Sequence, residues 1–362
     1  MEESLTGYAI CFVFMITAFL AYLEDYIGKY KLPIYIGLCI ILVIIASTRV
    51  IGFDPDSTNY ENSFISIASG KSDMLVEYSF IILSQIIGTF TNDVHYLFFV
   101  YALLGVSLKF IAFRQLCESW FLPVLVYIGY FFIFHECMQI RTGVLSAMFL
   151  LSIKPWSDGN KLKAFLFIVI GFFFHYSALM LVPLLFLSNN NISFYGKIFW
   201  ALLIPFAYVL YFGGFSIFLE ISTGLPYIGE KLAMYQYAEQ KGLSTLAVNV
   251  FSPLFIFTTL LYYYLLYFHD TLIEENKYYP LMIKLFGIAI FAYTALGTFP
   301  PLAQRVNLLL RIVSIILFAN ICQTIIPKWA GVSVAMLVAF VYLNYAVPSV
   351  NFHLFWDPGV FF

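Results

Sequence analysis

The chain has 362 residues, of which 62% are hydrophobic and 10% are charged, and its formal net charge is −2. Soluble domains average roughly 45–50% apolar and about 25% charged residues, so this composition excludes a soluble globular protein. At roughly 20 apolar residues per span, about 224 hydrophobic residues allow on the order of eleven transmembrane spans. The 18 basic residues form no cluster, which excludes a nucleic-acid partner.

Long apolar runs predict an all-α, polytopic integral membrane protein. Backbone groups in lipid must be hydrogen-bonded within each segment, and the sequence lacks the alternation that is typical of a transmembrane barrel. We expect about 10–12 transmembrane helices in a single transmembrane domain. In chain order, the predicted spans are 4–23, 32–48, 94–113, 119–135, 142–153, 161–175, 177–188, 198–218, 247–268, 280–297, 308–326 and 330–347.

Two stretches interrupt this regular pattern. Residues 74–90 would form a short span carrying Glu77, so they are interpreted as an amphipathic or re-entrant piece that stays on one side of the membrane. Residues 161–188, at 1.5 Å per residue, would form a helix of about 42 Å, which is too long for one untilted span. We therefore expect two short helices that meet near His175.

Three connections are long enough to form outer-face segments: approximately 49–93, 219–246 and 348–362. With the predicted topology, more basic residues lie on the opposite face, which is cytoplasmic by the positive-inside rule. Lys109 falls on the cytoplasmic face and Glu136 on the outer face. Four of the five arginines also fall on the outer face, where a guanidinium fork suits carboxylate or phosphate. The arginines therefore predict an anionic ligand at that face.

The loop after the second span carries the first candidate residues, Arg49, Asp54 and Tyr60. Pro55 and a neighbouring glycine favour a turn beside Asp54. Tyr60 and Phe64 are one helical turn apart, as expected of an interfacial anchor. The alternative interpretation is a membrane-surface loop with a snorkelling arginine.

Single ionisable residues near membrane depth form the second group of candidates. Arg141 directly precedes a short apolar helix, although snorkelling would also explain it. His175 could accept a proton near neutral pH, or it could be a hydrogen-bonded core residue. Arg305 and Arg311 are nearly two helical turns apart and can face one side of the penultimate span, where an arginine is costly unless it is paired or faces water.

The sequence contains no Walker loop and no HExxH, GxSxG, DxD or EF-hand motif. The run 135–137 (HEC) lacks metal-ligand spacing and is interpreted as an interfacial turn. The five cysteines are scattered singly and are expected to be small core residues. We therefore expect no metal site and no cofactor.

An ordered set of these residues resembles the EpsG-like branch of the Wzy O-antigen and exopolysaccharide polymerases. The set runs from residue 40 to about 190, and more loosely to Arg305. Thr142 departs from the family pattern, which has a glutamine after the corresponding arginine. The matching residues, in order, are Arg49, Gly52, Asp54, Tyr60, Phe64, Glu77, Tyr78, Gln139, Ile140, Arg141 and the run from Phe174 to Leu179.

The resemblance implies a multi-pass glycosyltransferase of GT-C-like architecture in the bacterial inner membrane. Its substrates would be oligosaccharide repeat units on undecaprenyl diphosphate, polymerised at the periplasmic face into O-antigen, as in lipopolysaccharide, or a related surface polysaccharide. Membrane lipids and a separate chain-length regulator protein are the other partners that the resemblance implies. Diphosphate is a good leaving group once its negative charge is stabilised. Arginines can supply this stabilisation in place of a metal ion, so the reaction is expected to be metal-independent.

This chemistry gives the arginines and the possible bases their expected roles. Three arginines, with Arg49 assisting, are expected to hold the diphosphate. The three candidates for the general base are led by His175, because its junction lies beside the membrane depth of the lipid diphosphate. The clamp arginines are Arg141, Arg305 and Arg311, and the base candidates are His175, Asp54 and Glu77.

Aromatic side chains on the outer segments are candidates for stacking on sugar rings. Tyr60 is one of them, and the others are Tyr227, Tyr235 and Tyr237. The alternative is an interfacial aromatic belt, which needs no sugar ligand.

Three other classes of membrane protein remain as alternatives. A lipid-linked oligosaccharide flippase should show internal repeats in two halves, and the sequence shows none. An O-antigen ligase-like transferase would share the outer arginines and the histidine. A membrane acyltransferase should have an early histidine with a charged partner on the first spans, whereas the first histidine here is His95.

Overall fold

The computed structural model describes residues 2–70, 76–213 and 248–350. These residues form helices joined by turns, and none of them lies in a β-strand. In chain order, the α-helices are Glu2–Tyr22, Glu24–Ile27, Lys31–Ser47, Ser57–Ala68, Tyr78–Gly88, His95–Leu116, Leu122–Val126, Ile140–Ser157, Lys161–Phe174, Phe194–Phe212, Pro253–Tyr267, His269–Glu275, Tyr279–Ala295, Pro300–Leu310, Ser314–Ala319 and Lys328–Ala346.

Six helical segments among the described residues are long and apolar enough to cross a membrane. Five shorter apolar helices accompany them in the same part of the chain, so the expected number of spans stays a prediction. The all-α, polytopic membrane fold is confirmed. The six segments are Leu5–Tyr22, Glu24–Ser47, His95–Leu116, Phe194–Phe212, Pro300–Gln323 and Lys328–Ser349.

The chain divides into two compact units. The first unit comprises Met1–Asn189, Asp270–Leu281 and Ser314–Phe362, and the second comprises Asn190–His269 and Met282–Val313.

The first unit is built around the helix Ile140–Ser157. It packs against both His95–Leu116 and Lys161–Phe174, and Lys31–Ser47 packs against His95–Leu116. Most side chains of Ile140–Ser157 are buried because neighbours cover more than one of its faces. This central helix begins with the segment that carries Arg141.

The connection 49–93 contains two helices, Ser57–Ala68 and Tyr78–Gly88, which pack against each other. Their buried aromatic side chains join those of His95–Leu116 in one hydrophobic cluster. Tyr78–Gly88 has 11 residues and a length of about 16 Å, too short to cross a bilayer. The expectation of a short piece in 74–90 agrees with this helix, and its position relative to the membrane stays a prediction.

The predicted helix break at His175 is confirmed. The helix Lys161–Phe174 ends there, His175 has an extended backbone (φ −156°, ψ 129°), and a 3₁₀-helix follows over Tyr176–Leu181. The Ser177 N–H donates to His175 Nδ1 at 3.1 Å, so the histidine side chain itself caps the new helix.

The interpretation of residues 135–137 as an interfacial turn is wrong. They belong to a π-helix, Tyr127–Met138, that continues directly from Leu122–Val126. His135, Glu136 and Cys137 are all buried in it. The wider winding of a π-helix gives no signal in hydrophobic periodicity, and such segments occur frequently at functional sites.

The second unit includes the helices Phe194–Phe212 and Pro253–Tyr267. They are joined by side-chain hydrogen bonds to backbone carbonyls, such as Tyr262 Oη to Trp200 O at 3.0 Å. The predicted outer segment 219–246 lies outside the described residues, and so do residues 351–362 of the predicted tail. The sugar-stacking prediction for Tyr227, Tyr235 and Tyr237 falls in the first of these segments.

Candidate active site

Three ionisable side chains from distant parts of the chain meet in the first unit. Glu77 lies between Arg141 and His175: Arg141 Nη1 donates to Glu77 Oε2, and His175 Nε2 lies 3.5 Å from Glu77 Oε1. The Glu77 side chain is 8% exposed, whereas those of Arg141 and His175 are 24% and 15% exposed. In this cluster Arg141 binds one carboxylate oxygen of Glu77, His175 lies near the other, and the guanidinium keeps an exposed face.

Each of these side chains comes from the end of a helix. Glu77 directly precedes Tyr78–Gly88, and its carbonyl accepts the Phe80 N–H at 3.0 Å. Arg141 is the second residue of its helix, and His175 occupies the break described above. Helix ends change the direction of the backbone, and this brings residues that are far apart in sequence to one place.

The hydrogen bond at His175 Nδ1 fixes which ring nitrogen carries the proton. Because Nδ1 accepts the Ser177 N–H, the proton of neutral His175 sits on Nε2, the atom that faces Glu77. In this tautomer the imidazole presents a donor to the carboxylate. It has no free lone pair on that side with which to accept a proton.

Aromatic rings form the wall on which Arg141 rests. Its guanidinium carbon lies 5.6 Å from the centroids of both the Tyr60 and the Phe80 rings, a distance suited to a cation–π contact. Burial raises the pKa of Tyr60 to about 12, although the Arg141 charge acts in the opposite direction. Tyr60 therefore keeps its phenolic proton and remains a potential hydrogen-bond donor at neutral pH.

Arg49 and Asp54 form a separate, fully buried ion pair. Arg49 Nε donates to Asp54 Oδ2 at 2.9 Å, and both side chains are 0% exposed. Arg49 Nη1 donates to Ala46 O at 2.6 Å, and the guanidinium carbon lies 3.8 Å from the centroid of the Phe98 ring. Asp54 Oδ1 accepts the Asp56 N–H at 3.0 Å. These bonds hold the turn after the second span in one conformation.

The two ion pairs are linked through aromatic rings. Phe98, which covers Arg49, makes an edge contact with Tyr60 at 6.4 Å between centroids, and Tyr60 in turn contacts Arg141. The predicted candidates Arg49, Asp54, Tyr60, Glu77, Arg141 and His175 therefore converge in the first unit. The individual roles expected for them stay predictions.

Arg305 and Arg311 belong to the second unit. Arg305 is exposed on the helix Pro300–Leu310, whereas Arg311 is 4% exposed and begins a 3₁₀ turn, Arg311–Val313. The spacing predicts that both arginines lie on one face of a helix. In the structure the α-helix gives way to a 3₁₀ turn at Arg311, and Arg311 is buried whereas Arg305 is exposed. Their part in a diphosphate clamp stays a prediction.

A further buried ion pair, Lys109 with Glu136, was not predicted. Lys109 Nζ lies 2.5 Å from Glu136 Oε1 and 2.6 Å from Gly143 O, and the two side chains are 0% and 1% exposed. The expectation that Lys109 faces the cytoplasm while Glu136 faces outward is therefore wrong. A lysine inside an apolar helix was the available signal, but its partner depends on how separate helices pack.

The described residues contain no group of three or more His, Cys, Asp or Glu side chains that could hold a metal ion. Metal independence and the absence of a cofactor stay predictions. Of the five cysteines, Cys117 and Cys137 are buried as expected of core residues, and the other three are half-buried.

Comparisons with known proteins confirm the family that the sequence resembles. The EpsG family pattern matches residues 32–357. The amylovoran biosynthesis protein AmsC of Erwinia amylovora is 23% identical over 248 residues, which cover 67% of this chain and 64% of AmsC. The match thus spans less than two thirds of that relative's length. No solved structure matches the chain significantly.

Proposed function

Because the chain belongs to the EpsG family, we propose that it is a membrane glycosyltransferase that polymerises lipid-linked oligosaccharide repeat units into a surface polysaccharide. The substrates in this proposal are repeat units on undecaprenyl diphosphate, and polymerisation occurs at the periplasmic face of the bacterial inner membrane. A relative named for amylovoran biosynthesis supports a biosynthetic role. A separate chain-length regulator protein is the partner expected to set polymer length.

The observation that carries the proposal is the position of Glu77 between Arg141 and His175. All three residues belong to the set on which the family resemblance rests, and the fold brings them together from three separate segments. A carboxylate beside a partly exposed guanidinium and an imidazole provides a base and an anion-binding group in one site.

In the proposed reaction, Glu77 is the general base. It accepts the proton of the acceptor sugar hydroxyl as that oxygen bonds to the anomeric carbon of the growing chain. The bond between this carbon and the diphosphate oxygen breaks, and its electron pair leaves with the lipid diphosphate. His175, ranked first from the sequence, is better suited to orient Glu77, because its Nε2 proton faces the carboxylate.

Arg141 is proposed to stabilise the negative charge of the leaving diphosphate. Its side chain keeps 24% of its surface exposed, and its Nε atom has no hydrogen-bond partner within the described part of the chain. A bound diphosphate would draw the guanidinium from Glu77 and leave the carboxylate free to accept a proton. In this proposal the guanidinium supplies the positive charge that a metal ion could otherwise provide, so the reaction needs no metal ion.

Arg49 and Asp54 are proposed to support this site rather than to react. Their mutual bond and their bonds to backbone groups engage most of their polar atoms. Through Phe98 and Tyr60 they brace the wall behind Arg141. The Tyr60 hydroxyl keeps its proton and is proposed to contact a sugar or phosphate oxygen.

The test is deletion of the gene in the native host, followed by electrophoresis of the surface polysaccharide. Plasmids carrying the wild type and Arg141→Ala are introduced, and Arg114→Ala, which changes an arginine outside the cluster, is the matched control. We expect the deletion to reduce the ladder to a single repeat unit, which the wild type and the control restore and Arg141→Ala does not. Loss of every surface-linked unit would favour the flippase or ligase alternatives, and an unchanged ladder would refute a role in polysaccharide synthesis.

A further inference from the structure

The buried pair Lys109 and Glu136 has no direct part in the reaction proposed above. Burying two charges costs free energy that their attraction repays only with excellent geometry, and apolar side chains of similar volume are often as stable or more stable. Stability alone is therefore a weak explanation for burying this ion pair. The position of the pair relative to Arg141 suggests a different role.

The pair joins the two sides of the turn that positions Arg141. Glu136 lies near the end of the π-helix Tyr127–Met138, and Gln139 then leaves helical geometry with φ −109° and ψ 62°. Lys109 bonds to Glu136 before this turn and to the Gly143 carbonyl after it. One ammonium group thus joins a side chain that precedes Arg141 to a backbone carbonyl that follows it.

Two glycines make room for this arrangement. A Cβ atom at Gly105 would collide with Glu136 Oε2, and a Cβ atom at Gly143 would lie 2.6 Å from His135 O and 3.0 Å from Glu136 Oε2. The carboxylate therefore occupies a space that only glycine at both positions leaves open.

A second donor reaches the same carbonyl. Ser146 Oγ donates to Gly143 O at 2.8 Å and lies 3.1 Å from His135 Nδ1. Gly143 O therefore receives bonds from both Lys109 and Ser146, within the first turn of the helix that carries Arg141. Several buried polar groups converge on this one turn.

We propose that Lys109 and Glu136 are positioning residues that hold the turn before Arg141 in one geometry, so that the guanidinium meets the lipid diphosphate. This inference rests on the function proposed above. A hydrogen-bonded ion pair tolerates a narrower range of geometries than an apolar contact, so the buried charges fix the direction of Arg141 rather than add stability.

The test is a double-mutant cycle that measures binding of farnesyl diphosphate, a lipid diphosphate probe, to the purified full chain in detergent. Arg141→Ala is made in the wild type and in Lys109→Met/Glu136→Leu, which removes both charges at similar volume. We expect Arg141→Ala to weaken probe binding at least about ten-fold in the wild type and less than about two-fold in the neutralised chain. Lys284→Met, which removes another lysine donor to a backbone carbonyl, is the control. In the Lys284→Met chain, Arg141→Ala should weaken probe binding as much as it does in the wild type.

Equal weakening in both backgrounds would overturn the positioning role and leave the proposed function intact. No weakening by Arg141→Ala in the wild type would instead refute the diphosphate clamp, and the positioning role with it. Should the neutralised chain fail to accumulate, Lys109→Gln/Glu136→Gln, which keeps a hydrogen bond between the two positions, replaces it and is judged by the same two measurements.

Discussion

His175 Nε2 lies 3.5 Å from Glu77 Oε1. The other ring nitrogen of the histidine accepts a backbone N–H, so the nitrogen that faces the carboxylate carries the proton. The two residues therefore have different proposed roles: His175 orients the Glu77 carboxylate, and the carboxylate accepts the proton of the sugar hydroxyl. These roles lead to different outcomes for substitutions at the two positions.

We expect Glu77→Gln to reduce the polymerisation rate by about 100-fold or more, because an amide cannot act as the general base. Gln keeps the size of Glu and can still accept a hydrogen bond from Arg141, so the folded chain should accumulate normally. The rate is measured in membranes supplied with lipid-linked repeat units from the same host. Glu61→Gln, at a partly exposed carboxylate on the neighbouring helix, is the control and should retain the wild-type rate. A Glu77→Gln chain with more than about a tenth of that rate would contradict the assignment.

Two substitutions at His175 separate an orienting role from a basic one. The Gln side chain can place an N–H near the position of Nε2, whereas Asn places its amide near Nδ1. If His175 orients Glu77 through Nε2, His175→Gln should retain more polymerisation activity than His175→Asn. The comparison uses the same membrane assay, normalised to the amount of each chain. Equal and complete loss in both variants would favour His175 as the base, as first ranked from the sequence.

Much of the candidate site could be predicted from the sequence because its residues follow recognisable features. Arg49 and Asp54 flank a turn, and His175 lies where a run too long for one span must break. Arg141 was expected just before an apolar helix and lies in the first turn of that helix, Ile140–Ser157. Each signal is local, and the resemblance to a known family placed the residues in order. The fold class followed from the long apolar runs for the same reason.

The remaining features depend on packing that local sequence does not encode. Lys109 stands out only as a lysine inside an apolar helix, and the packing of two helices is needed to reveal Glu136 as its partner. The π-helix over Tyr127–Met138 has the same apolar composition as an α-helix. The tautomer of His175 depends on the Ser177 N–H, which reaches the ring only after the helix breaks.

Replacing Arg141 by lysine tests whether a guanidinium is needed. Lysine keeps the charge but lacks the planar fork that binds phosphate through two parallel hydrogen bonds. We expect Arg141→Lys to reduce the polymerisation rate by roughly 100- to 1,000-fold, as when an electrostatic donor is removed from a transition state. Arg114→Lys, whose guanidinium bonds to backbone carbonyls away from the cluster, is the matched control. Full polymer length with Arg141→Lys would remove Arg141 from the mechanism.

Substitutions at Arg49 and Asp54 test whether this ion pair only supports the structure of the site or takes part in the reaction. Arg49→Met leaves the Asp54 carboxylate buried without its partner, which should lower the free energy of unfolding by about 3–5 kcal/mol. Arg49→Met/Asp54→Leu removes both charges and should recover most of this loss, as measured by thermal unfolding in detergent. Because the proposed reaction uses neither side chain, the double variant should also recover most of the polymer length. A double variant that is as stable as the wild type but makes no polymer would instead assign a chemical role to one of the two residues.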